Sequence, residues 1–148
     1  AVAVMNKVAL ELEKDLVLRS PGSHYSETDV AHVVSGAVVK TATDMEAKLI
    51  IALTETGSTA RMISRFRPHQ LIIAMTPNER TLNLLPLNFG CLPFLTPRFD
   101  TLEEAFKYIR AYCLENHLLE KGDKVVISAG TPFNTKNTPT NMLMVETI

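Results

Sequence analysis

Tryptophan is absent from the 148 residues, cysteine occurs twice, glycine six times and proline eight times. Glycine and proline this sparse exclude a collagen-like or low-complexity chain, and two distant cysteines exclude a disulfide-dense scaffold. Neither sign of charge is in excess: 15 lysines and arginines face 16 aspartates and glutamates, a net charge of −1. With no basic surplus to neutralise a row of phosphates, a dedicated nucleic-acid binder is disfavoured and no nucleic-acid partner is expected. No uninterrupted apolar run approaches the ~20 residues that cross a bilayer, so no membrane partner is expected either. The apolar start, 1–18, carries Glu11, Glu13, Lys14 and Asp15, which excludes a signal peptide. Cys91 and Cys113 lie within separate apolar runs and read as reduced, buried small hydrophobes of a cytoplasmic protein.

What is present is ordinary for one globular domain: 46% apolar and 21% charged residues. Met5, Val8, Ala9, Leu12 and Leu16 recur at steps of three and four, the stripe of an amphipathic helix. That helix starts without a cap at residue 1, as if the chain began inside an element, and ends before the linker-like 19–23. Ser26 and Thr28 signal a second helix, with Asp29 in its first turn and Val30, Val33, Val34, Ala37, Val38 and Ala42 as its apolar face. Residues 48–53 form a short run without alternation, as in a strand buried on both faces. A helix over about 57–66, a second buried strand at 71–75 and a short helix capped by Asn78 follow. A third strand spans 91–95, and Thr101 with Glu104 makes a capping box for a helix that turns Leu102, Ala105, Phe106, Ile109 and Cys113 inward. A fourth strand at 125–129 and an edge strand at 142–145 complete the chain.

Strands alternating with helices imply right-handed crossovers and a largely parallel sheet. The expected fold is a three-layer α/β domain with a mostly parallel five-stranded sheet and one antiparallel edge strand. Helices cover both faces, and one more helix stands in front.

Ligands of such sheets collect beyond the carboxyl ends of the strands. There the first strand runs into Thr54, Glu55, Thr56, Gly57, Ser58 and Thr59. Gly57 permits a tight turn and close approach, while four hydroxyls and the start of a helix surround one point. This favours a phosphate monoester, although hydroxyls at such a place also serve simply as helix caps. The loop after the fourth strand, 130–141, would close over it if the two strands are neighbours, and Lys136 is its only cation. The four histidines share no metal-ligand spacing, and no nucleophile elbow or activated cysteine occurs. Arg61, Arg65 and Arg67 read either as a phosphate or partner contact or as cations favoured at a helix C-terminus. No catalytic constellation is visible.

Several segments resemble the C-terminal domain of pyruvate kinase: 52–61 with its Thr-Glu-Thr-Gly-Ser-Thr core, Arg65-Phe66-Arg67-Pro68, 72–76, 87–90, Lys121-Gly122-Asp123, Gly130-Thr131-Pro132 and Thr140-Asn141. The resemblance spans nearly the whole chain. It implies that 1–19 ends a catalytic barrel and that 20–148 is a regulatory and oligomerisation domain. Catalysis, with magnesium and potassium, would then lie in parts of the enzyme outside this chain, which needs no cofactor of its own. It also implies a homo-oligomer, association with the remainder of a pyruvate kinase chain, and a phosphorylated effector held by Thr54 to Thr59. Thr135, Lys136, Asn137 and Thr138 would fold over that effector. Relatives that bind fructose bisphosphate place a Trp and then an Arg ahead of the Lys-Gly-Asp turn. Here no Trp exists, Ala105 falls where the Arg would be, and Arg98 lies near the Trp position. A monophosphate effector, or none, is left open. The competing reading is an independent small α/β enzyme or binding protein for a phosphorylated metabolite.

Overall fold

A computed structural model describes residues 1–15, 29–133 and 138–148. Its elements are α1 (Val2–Asp15), α2 (Val30–Asp44), β1 (Leu49–Leu53), α3 (Ser58–Ser64), β2 (Leu71–Thr76), α4 (Glu79–Leu84), β3 (Cys91–Leu95), α5 (Leu102–Glu115), β4 (Lys124–Ala129) and β5 (Met142–Thr147). A single 3-10 turn, Leu85–Leu87, follows α4. The sheet order is β3-β2-β1-β4-β5. All neighbours are parallel except β4 and β5, which pair antiparallel with Val126 opposite Val145. The expected sheet, with its one antiparallel edge strand, is the observed one.

Alternation within each central strand divides the core into two. Leu49, Ile51, Leu53, Ile73, Met75, Val125 and Ile127 face Ala105, Ile109 and Cys113 of α5. On the other side Ile50, Ala52, Ile72, Ala74 and Val126 face Val38 and Ala42 of α2, Ala60 and Ile63 of α3, and Leu85. β1 is therefore buried along its whole length, the reason its sequence is a continuous apolar run. Cys113 and Cys91 belong to opposite faces and both thiols are free.

The helix α2 departs from expectation. The cap of α2 is Asp29, whose Oδ1 accepts the Ala31 N–H at 3.1 Å; Ser26 and Thr28 lie outside the described residues. Its buried side chains are Ser35, Val38 and Ala42, whereas Val30 and Val33 are each 54% exposed and Ala37 is exposed too. A helix with valines on nearly every face does not declare one stripe; the sheet selects it. The apolar stripe of α1 is exposed at Met5, Val8 and Leu12, and Leu16 lies outside the described residues.

Candidate functional site

The chain leaves β1 for β2 and β3 on one side and returns as β4 on the other. The strand order thus reverses between β1 and β4, the switch point where open α/β sheets form a crevice. A cleft of about 450 Å³ lies at the carboxyl ends of the strands. Loop 54–59 lines it from β1, Pro77 from β2, 96–99 from β3, and Gly130, Pro132 and 138–140 from the β4 side. The expected neighbourhood of strands one and four is present, and their two following loops meet.

The geometry of loop 54–59 is set by its backbone. Gly57 has φ +83, a left-handed conformation that other residues enter only with strain. A Cβ there would also stand 2.7 Å from Arg61 Nη1. That guanidinium folds back and donates to the Thr56 carbonyl at 3.0 Å. The Glu55 carbonyl accepts from Thr81 Oγ1 at 2.8 Å and from Thr76 Oγ1 at 3.5 Å. The loop is thus held through its carbonyls by side chains from α3, β2 and α4.

The hydroxyls have separate fates. Gly57 is the N-cap of α3 and no described side chain caps that helix, so Thr54, Thr56, Ser58 and Thr59 do not serve as its caps. Thr56 Oγ1 donates to Ser58 Oγ at 3.3 Å. Thr59 Oγ1 accepts from Thr140 Oγ1 at 2.9 Å in a buried contact that ties the two loops together. Thr54 Oγ1 is buried and, among the described residues, has no hydrogen-bond partner. Unpaired buried hydroxyls are uncommon because desolvation costs about 1–3 kcal/mol.

Charge is sparse. Among the described lining residues the charged side chains are Asp29, Glu55 and Arg98. Asp29 is committed to its helix cap. Arg98 Nη2 lies 2.6 Å from Glu55 Oε1, and both side chains are about half exposed. Arg98 and Thr138 line the cleft; Thr135, Lys136 and Asn137 lie outside the described residues. The close approach of 138–140 is written in Gly130, whose Cβ would fall 2.7 Å from the Thr138 oxygen and 2.8 Å from that of Pro139. Sequence reasoning missed Phe99, Asp29 and the grip of Thr76 and Thr81 on Glu55. Those contacts join residues far apart in the chain.

Elsewhere the arginines disperse: Arg67 lies over the Phe89 ring at 5.1 Å, while Arg65 approaches Met62. Burial pushes the Cys113 thiol up to about 11 and also raises that of Cys91, where a hydrogen bond with Ser64 pulls the other way. Among the described residues no group of three or more His, Cys, Asp or Glu is placed to hold a metal ion. No described helix is long and apolar enough to cross a membrane.

Fold and cleft together define the class: an open, mainly parallel α/β domain with a ligand-sized crevice at its switch point. Residues 32–146 match the family described as pyruvate kinase, alpha/beta domain, and the chain belongs to it. It is 35% identical to the pyruvate kinase of Clostridium acetobutylicum over 100% of its own length and 32% of that protein. It is equally 35% identical to the Lactococcus lactis pyruvate kinase, covering 29% of it. Among solved structures it resembles Cryptosporidium parvum pyruvate kinase with a TM-score of 0.71 and 28% identity, over 83% of this chain and 23% of that one. The chain therefore spans about a third or less of the curated relatives' length.

Proposed function

We propose that this chain serves as the C-terminal regulatory and subunit-assembly domain of a pyruvate kinase, and that its switch-point cleft binds a phosphorylated effector. The parent enzyme, a cytoplasmic glycolytic transferase, would pass a phosphoryl group from phosphoenolpyruvate to ADP. Magnesium, potassium and the reacting groups would belong to its other domains. Residues 1–19 would complete that remainder and 20–148 would form the regulatory unit. The exposed apolar side chains of α1 fit a helix that packs on protein outside this chain.

One observation carries the effector reading: Thr54 presents a buried, unpartnered hydroxyl to a cleft whose other hydroxyls are not spent on capping α3. A phosphate oxygen would satisfy it. Hydrogen bonds to a charged phosphate contribute about 1.5–3 kcal/mol each. Three or four, less the cost of association, correspond to roughly millimolar to micromolar affinity. With one arginine among its described lining residues, the cleft suits a compact monophosphate better than a bisphosphate. Calorimetric titration of inorganic phosphate and ribose 5-phosphate into wild type and Thr54→Ala/Thr59→Ala tests this. Binding by wild type and its loss in the variant is expected; equal heats from both would reduce the loop to structure alone.

A further inference from the structure

The cleft contains its own anion. Arg98 is the one cation among the described lining residues, and in the free chain its guanidinium already holds the Glu55 carboxylate at 2.6 Å. A phosphate bound at loop 54–59 would need the same N–H donors, and its charge would lie close to that of Glu55. The two anions compete. We infer that Glu55 is an internal surrogate for the ligand's phosphate, seated on Arg98 in the free chain and exchanged for the phosphate on binding. The inference rests on the effector reading above and adds to it the residue that sets its affinity.

The surroundings permit such an exchange without rearranging the loop. The Glu55 carbonyl is fixed by the Thr81 and Thr76 hydroxyls, so only the side chain has to swing away. The Arg98 end is anchored upstream, where the Thr96 N–H donates to the Thr76 carbonyl at 2.9 Å. With Glu55 48% and Arg98 60% exposed, the pair is a weak, solvent-screened latch that a better ligand displaces. A latch of this kind lowers apparent affinity by the fraction of time it is closed. It also disfavours ligands that bring only a weak, singly charged carboxylate, which would gain little over the one already there.

The test is titration of inorganic phosphate into the whole 148-residue chain at low ionic strength, with thermal melts confirming that each variant is folded. Glu55→Gln should bind about fivefold more tightly than wild type, and the gain should shrink at high salt. Arg98→Gln should bind more weakly, and Glu55→Gln/Arg98→Gln no more tightly than Arg98→Gln alone. An equal gain in both backgrounds would mean simple charge repulsion and would overturn the surrogate role. So would an unchanged affinity in Glu55→Gln while wild type binds and Thr54→Ala/Thr59→Ala does not, an outcome that leaves the effector reading standing. Absence of binding by every chain would overturn both.

Discussion

Thr54 and Thr59 stand five residues apart at one loop, yet their hydroxyls do opposite things in the free chain. Thr59 Oγ1 receives the buried Thr140 hydroxyl, so Thr59→Val would strand a donor and should cost about 1–2 kcal/mol. Thr54 Oγ1 has no such partner, and Thr54→Val should leave stability within about 0.5 kcal/mol or raise it slightly. Urea denaturation of the two variants checks the order; a larger loss at Thr54 would contradict it. The hydroxyl-rich loop itself was legible in the sequence because Thr, Gly and Ser crowd the end of an apolar run. Which hydroxyl is already occupied was not, since Thr140 arrives from 81 residues away. For the same reason, nothing local in the sequence showed that Glu55 would pair with Arg98.

Cys113 supplies a second prediction at this scale. Its thiol, normally near 9.0, is pushed up to about 11 by burial against the α5 face of the sheet. Below pH 9 folded and unfolded chains both keep the proton. Between pH 9 and 11 the unfolded chain loses it while the native chain keeps it, so stability falls as pH rises. The loss amounts to at most about 2–3 kcal/mol at ~1.4 kcal/mol per unit. Wild type should therefore forfeit that much more stability than Cys113→Ala across the window. A constant difference between the two chains from pH 8 to 11 would rule the effect out.

At the level of elements, the central strands were the most readable part. β1 and most of β2 are continuous apolar runs because helices cover both faces of the sheet, and runs so short favour strand over helix. α2 was harder. Its valines surround the helix, and the inward side was fixed by Val38, Ala42 and a buried Ser35 rather than by the apolar stripe that includes Val30 and Val33. The segment 138–140 offers a direct test of element packing, because it crosses Gly130 at a distance that excludes a side chain. Gly130→Ala drives a Cβ into two backbone carbonyls and has no flexible neighbour to yield. We expect a loss of about 2 kcal/mol or more, together with weakened phosphate binding as the segment lifts and the Thr59–Thr140 contact breaks. A variant with wild-type melting and wild-type phosphate affinity would show that the close approach is not needed.

For the whole molecule, the missing chemistry and the uncovered surfaces lead to related expectations. The isolated chain should not turn over phosphoenolpyruvate and ADP, since no carboxylate set for magnesium and no lysine facing a transferring phosphoryl were recognisable in its sequence. A coupled pyruvate assay giving turnover like that of a full-length kinase would contradict this. α2 leaves Val30 and Val33 exposed, and a self-complementary pairing of this helix with a second copy would cover both. Sedimentation should accordingly find dimers that Val33→Asp returns to monomers, whereas a strict monomer at high concentration would argue against assembly through this face.

The central claim, that the switch-point cleft takes a phosphate, is tested most directly by locating the ligand. Inorganic phosphate titrated into isotopically labelled chain, followed by amide nitrogen–proton correlation spectra, should shift the signals of 54–59 and 138–140 together along one saturating curve. The Thr54 amide and that of Arg98 should move with them. Saturable shifts centred elsewhere in the fold, or no shift at millimolar phosphate, would contradict the account.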